Sequence, residues 1–283
     1  MKLQGQDALH GGLVDMQLIV VRNIVASIVD FVDKTITIAE FEARKLQHDY
    51  VGVLTRAVQP ALWLIIYGEI MGNLRAIPTG NLSYIDFMAP GILAQSVLFV
   101  AIFYGIAAIW ERDLGIIHKF LASPLRRSSI VVGKALSAGE RALVQWVIVY
   151  SLSVALGVKL NYNLIAILSV VAIVSLGSAL FSTFSLIIAC IVKTRERFMG
   201  MGQVLTMPLF FASNAIYPIA IMPGWLQVIS QVNPLTYEVD GLRCMMIVGG
   251  PSVYGLPVDI AVMLAFTGFL VAIAARLYPH IIT

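Results

Sequence analysis

Few residues in this chain have a type and spacing that could do chemistry, and they gather in three places. Glu238, Asp240 and Arg243 fall within one short stretch, with Asp240 and Arg243 three apart and therefore on one face of a helix. Glu111, Arg112, Asp113, His118 and Lys119 surround an apolar trio, Ile117, Phe120 and Leu121. Glu69 sits inside Gly68–Gly72, a GxxxG spacing that lets two helices approach closely. None of these groups amounts to a catalytic centre. The histidines (His10, His48, His118, His280) are scattered, and Cys190 and Cys244 cannot build a disulfide framework. HExxH and CxxC are absent, so metal catalysis has no ligand set. No GxxxxGK[ST] phosphate loop occurs, so the chain does not itself bind ATP in that way. No cofactor is expected on this chain.

The elements that must position these residues follow from composition. The 283 residues are 59% hydrophobic and 12% charged, about half the charge of an ordinary soluble domain. That excludes a cytosolic enzyme, a nucleic-acid-binding domain and a disordered chain, and a net charge of +3 gives a polyanion little to hold. The fold class expected is an all-α integral membrane protein. A bilayer-crossing helix needs about 20 apolar residues, and six such runs occur: 53–74, 87–110, 135–158, 164–192, 200–222 and 258–277. The first thirty residues carry Asp7, Asp15, Arg22 and Asp30 and lack the apolar run of a cleavable signal peptide. Sixteen of the 19 basic residues fall on one side of the six spans, Arg141 just inside the third span among them. Arg75, Lys159 and Arg243 fall on the other. The positive-inside rule therefore places both termini in the cytoplasm.

Between the spans, three segments stand out. Residues 34–50 have Ile38, Phe41 and Leu46 on one face and charges around them, which suits an interfacial amphipathic helix or a soluble tail helix; 1–33 precede it as a cytoplasmic segment. The loop after span two forms a short helix to about Ala122, ended by Ser123–Pro124. Its apolar knob suits a partner's groove, or simply eases the chain out of the bilayer. Before span six, Met222–Ile247 is apolar but cut at Asn233–Pro234 into halves too short to span, with Asn233 a plausible cap. Two short helices that enter and return are expected, a re-entrant hairpin over 223–246, with Glu238, Asp240 and Arg243 lining an outer vestibule or anchoring it at the interface. Pro60, Pro90 and Pro208 are expected to kink their helices, and Ser178, Ser182, Thr183, Ser185 and Asn214 to bond across helices. The string LSAGER at Leu136–Arg141 is similar to the nucleotide-sandwich signature of ATP-binding cassettes. It runs straight into ALVQWVIVYSL, however, and reads as the start of a transmembrane helix.

Two strings, FLASPLRRSSIVVGKAL (Phe120–Leu136) and QVNPLTYEVDGLR (Gln231–Arg243), resemble the patterns of the ABC-2 permeases after span two and before span six. The likeness covers about residues 36–278 and is greatest to the drug-exporter and nodulation-factor branches. It implies a transport subunit rather than an enzyme: two copies form a homodimer around a pathway in the plasma membrane, of prokaryotic inner-membrane type. Each copy is coupled to a separate ABC ATP-binding subunit that holds ATP and Mg. By that resemblance 111–122 is a coupling helix that touches the ATPase through Glu111, Arg112, Ile117, Phe120 and Leu121. The outer gate contains Trp225, Asn233, Pro234, Tyr237, Asp240 and Arg243, and spans one, two and five face the pathway.

The cargo class that fits mainly apolar spans is amphipathic or lipid-like; that a drug-like molecule is moved outward, with export of a lipid-linked polysaccharide or glycoconjugate as the alternative, is what the resemblance implies. No substrate-binding residue is singled out. An intramembrane lipid-modifying enzyme would need clustered carboxylates or histidines at membrane depth. A secondary transporter would need a second broken span in the first half.

Overall fold

The computed structural model describes residues 50–75, 77–115, 127–192 and 194–278. The expected segment 1–33, residues 34–49 of the expected interfacial helix, and Ile117, Phe120 and Leu121 of the knob lie outside them.

Helix α1 (Tyr50–Leu62) contains Pro60, which has no N–H to give the helical ladder. Just beyond it the ladder shifts register into a π-helical turn, Trp63–Tyr67, where the Gly68 N–H bonds to the Trp63 carbonyl. It then resumes as α2 (Gly68–Leu74). Helix α3 (Tyr84–Asp113) starts at Ser83, whose hydroxyl accepts from the Asp86 N–H at 3.2 Å. Helices α4 (Arg127–Ala155) and α5 (Leu164–Ile191) follow, the second capped by Asn163. Helix α6 (Arg195–Phe211) is capped by Thr194. A 3-10 turn (Ile219–Ile221) leads to α7 (Gly224–Val232), α8 (Pro234–Met246) and α9 (Leu256–Leu277). Every regular element among the described residues is a helix, with a single isolated bridge, Leu160 to Ile247, in place of any strand.

Three of these helices, α3, α5 and α9, are long and apolar enough to cross a membrane. Helix α4 carries Lys134, Glu140 and Arg141 in its first half, and α6 has 17 residues, about 25 Å of rise against a hydrocarbon core of about 30 Å. The expected fifth span, 200–222, is thus not one helix. The chain leaves α6 at Ala212 because other groups satisfy its backbone there. Ser213 Oγ donates to the Phe210 carbonyl at 2.7 Å and accepts from the Ala215 N–H at 3.3 Å. The Asn214 carbonyl accepts from Arg243. The third helix begins at Arg127 rather than at 135.

Helix α3 is the central column, packed against α4, α5, α6 and α8. Met88, Ile92, Leu93, Val97 and Leu98 of α3 interlock with Ile173, Val174 and Phe181 of α5 and with Val239 and Leu242 of α8, all buried. Helix α9 reverses the soluble pattern: it is apolar yet mostly exposed, with Leu264 and Phe269 outward. Lipid is the solvent that such a surface fits.

Two glycines allow a close approach: a Cβ on Gly91 of α3 would clash with the Ala215 backbone, and one on Gly177 of α5 would clash with the Glu238 carboxylate. On helix propensity alone, Gly91→Ala should stabilise α3 by about 1 kcal/mol. The Ala215 backbone against it reverses the sign to a loss of about 1–3 kcal/mol. The variant should melt at a lower apparent temperature in detergent. A Gly91→Ala protein more stable than wild type would rule the contact out.

Candidate functional site

The last turn of α3 gathers charge because three helices end or begin beside it. Glu111 is buried and pairs with Lys134 of α4 at 2.5 Å. Asp113 accepts from Arg112 at 3.0 Å and, through its other oxygen, from Arg195 at 2.9 Å. The Arg195 guanidinium also lies 3.5 Å from the ring centroid of Trp110, one turn back on α3. Arg195 is the first residue of α6, so the end of α3 and the start of α6 are strapped together by an ion pair and a cation–π contact on one side chain. The half-exposed pair is worth about 0–1 kcal/mol. Separating the buried Glu111–Lys134 pair would cost more, about 3–5 kcal/mol. Of the five residues expected to couple to an ATPase, Glu111 and Arg112 stand here.

At the other end of α3 the broken segment forms as two helices. Asn233 holds the break from both sides. Its Oδ1 accepts from the Leu235 N–H at 3.0 Å, its Nδ2 donates to the Leu209 carbonyl at 2.7 Å, and Pro234 takes the first helical position. The Tyr237 hydroxyl donates to the Gln231 carbonyl at 2.6 Å, tying α8 back to α7. Asp240 and Arg243 are both buried and bond to different backbone groups. Asp240 Oδ2 accepts from Ser252 Oγ and from the Val253 and Tyr254 N–H groups, which shapes the turn into α9. Arg243 donates to the Phe87 carbonyl of α3 at 3.3 Å and to the Asn214 carbonyl at 2.7 Å, with its guanidinium 3.9 Å from the Phe87 ring centroid. Trp225 shares a groove with Asn233 and Pro234 of that break, away from Asp240 and Arg243. It stands 67% exposed on α7 and lines that groove, apolar and about 810 Å³, with Leu209, Phe211, Tyr217 and Ile229.

Lys134, Arg195 and Phe87 were not singled out as partners from sequence; Asn214 was expected to bond across helices, and it does so through its backbone carbonyl rather than its side chain. Two of them had a signal. Lys134 and Arg195 are cations near the starts of the helices that follow acidic Glu111 and Asp113. The acceptors on Phe87 and Asn214 are backbone carbonyls, which no residue type reveals. Among the described residues no group of three or more His, Cys, Asp or Glu could hold a metal.

Residues 34–247, about three quarters of the chain, match the family model described as ABC-2 type transporter, and the chain belongs to that family. It is a membrane transport permease by family. A transport permease, ycf38, of Cyanophora paradoxa is 29% identical over 70% of this chain and 69% of its own length. The daunorubicin resistance ABC transporter permease protein DrrB1 of Streptomyces coeruleorubidus is 22% identical over 82% of this chain and 79% of its own length. Nodulation protein J of Rhizobium leguminosarum bv. trifolii is 26% identical over 71% and 76%.

Lysine carries a point charge on a flexible stem and cannot reproduce the planar fork that reaches two carbonyls and stacks on a ring. Arg243→Lys should therefore destabilise the protein by about 2–3 kcal/mol. It should also open the 212–218 turn to limited proteolysis while leaving cleavage elsewhere unchanged. Wild-type protection of that turn in the variant would remove the clasp from the account.

Proposed function

We propose that this chain is the membrane half of an ATP-driven exporter. Two copies pair around a pathway in the plasma membrane, each with six spans, both termini in the cytoplasm and a re-entrant hairpin formed by α7 and α8. Each binds a separate ATP-binding subunit, which carries ATP and Mg and performs the hydrolysis. The cargo is amphipathic and drug-like, a reading supported by the relative named for daunorubicin resistance.

The observation that carries the mechanism is the double attachment of α3. At one end Arg195 and Lys134 tie it to α6 and α4; at the other, Arg243 ties it to α8 and to the turn after α6. A push on the knob that follows α3 is delivered to α3 and α6 as one body and arrives at α8 through the buried Arg243 guanidinium and the packed Val239 and Leu242 side chains. ATP binding closes the partner dimer, the knob moves with it, and the two packings of this frame expose the pathway to opposite sides in turn. The cargo path itself needs no reactive group on this chain, since the energy enters through the knob.

Two measurements test this. The chain should co-purify with a cassette ATPase from its own membrane. Changing Phe120 and Leu121 together to Asp should lower transport in vesicles at least tenfold, while the protein still inserts and the partner still hydrolyses ATP. Unchanged transport in the double variant would remove the knob from the coupling path, and failure to recover any ATPase with the chain would overturn the exporter reading itself.

A further inference from the structure

Glu238 lies on α8 between the break at Asn233 and the Arg243 clasp, and it is wholly buried. Neither of its carboxyl oxygens has a hydrogen-bond partner. The side chain reaches α5, where the carboxyl group fills the space that a Cβ on Gly177 would take. Gly177 is thirteen residues from the start of α5 and fourteen from its end. The carboxyl group therefore sits about 20 Å of helix from either end of an element long enough to cross the membrane. Ser178, the next residue of α5, is also buried with its hydroxyl unbonded.

No opposite charge meets this acid. The elements packed against α8 are α3, α5, α7 and α9. Helix α5 carries no charged side chain, and its titratable group, Cys190, stands next to its last residue. Helix α7 carries neither. The charges of α3 are at its ends: Asp86, which accepts from the Lys159 N–H, and Glu111, Arg112 and Asp113. Its tyrosines are engaged too, Tyr84 with the Ile216 carbonyl and Tyr104 with Ser137. Helix α9 has Asp259 in its first turn and Arg276 in its last. On α8 itself, Tyr237 bonds to the Gln231 carbonyl, Asp240 to the turn before α9, and Cys244 is half-buried. Arg243 is five residues on and turned about 140° around the helix, and it holds the Phe87 and Asn214 carbonyls.

An ionised carboxylate only accepts hydrogen bonds. Burying it without a donor or a cation is far more costly than burying the neutral acid. The neutral acid also has an O–H to give, and Gly177, with no side chain, leaves the α5 backbone open to it. A metal ion would need several oxygen ligands from more than one group, and the described residues gather no such set. The ligand that this place suits is a single proton.

We propose that Glu238 is a proton-binding site that latches α8 to the middle of α5. Protonated, the carboxyl group packs into the Gly177 notch. When it gives its proton to water it leaves the notch, and α8 separates from α5. The packed form holds one proton more than the separated form above the ordinary glutamate range, so rising pH favours separation. The assignment does not rest on the exporter reading, because holding a proton needs neither ATP nor a partner.

The test uses the full-length chain in nanodiscs from about pH 5 to about pH 9, above the ordinary glutamate value of about 4.3. Glu238→Gln keeps the shape of the neutral acid and has no proton to lose. Infrared difference spectra between wild type and this variant read the proton: at neutral pH the wild type should show the carbonyl stretch of a protonated carboxyl that the variant lacks. A water-soluble maleimide reads the latch, through Ser178→Cys in a chain whose Cys190 and Cys244 are changed to Ser. Across the pH range the labelling rate should rise at least tenfold more with Glu at 238 than with Gln, since the ionisation of the thiol is common to both. Gly177→Ala, which fills the notch and leaves every titratable group in place, should bring that rise to lower pH. Absence of the infrared band, or equal pH dependence of labelling with Glu and Gln at 238, would overturn the proposal. So would a Gly177→Ala chain that opens at the wild-type pH.

Discussion

A polar group withdrawn from water must find its partner inside the protein, and Arg243 is where that constraint bears hardest on this structure. Its guanidinium is buried between α3 and the turn after α6, where it bonds to the carbonyls of Phe87 and Asn214 and covers the Phe87 ring. The irregular backbone between α6 and the 3-10 turn has no helical ladder of its own. In an apolar surrounding each of its unsatisfied groups would cost several kcal/mol. Arg243 and Ser213 supply what the helix no longer does. Without that clasp, α8 would be left with apolar packing against α3, and the turn after α6 would lose its bond to α8.

The same constraint explains why the charges of this chain lie where they do. Several of the buried ones bridge elements, Glu111 to Lys134 between α3 and α4, Asp240 to the turn before α9 and Arg243 to α3, while the buried carboxylates of Glu238 and Asp259 have no hydrogen-bond partner among the described residues. Each bridge stands at a helix end or a break, where backbone groups lack partners of their own. Helix α3 collects such attachments at both ends and is apolar between them. It is therefore a stiff element whose ends are bonded to the parts that have to move together.

Much of the fold was legible in the residues. Apolar runs located the long helices, and α5 and α9 begin within two residues of where the runs begin. Asn233–Pro234 marked the break, because a capping side chain followed by a residue that suits the first helical turn has few other uses. The fifth run was misleading. Gly200–Met222 is apolar enough to read as one helix, but the chain turns at Ala212, since Ser213 and a distant arginine offer its backbone an alternative to the ladder. The third run was misleading in the other direction. Starting it at 135 placed Arg141 near a helix end, while the helix from Arg127 carries that residue to its centre.

By itself, the sequence determined that this chain is helical, that it belongs in a bilayer and which segments break the pattern. These depend on composition, periodicity and local capping, and all three act over a few residues. The tertiary structure alone decided which carbonyls Arg243 clasps, that Glu238 lies against Gly177, and that Arg195 straps α6 to Trp110 and Asp113. These pairings join residues 29 to 156 positions apart or involve backbone atoms that every residue shares. Only packing in three dimensions selects among them.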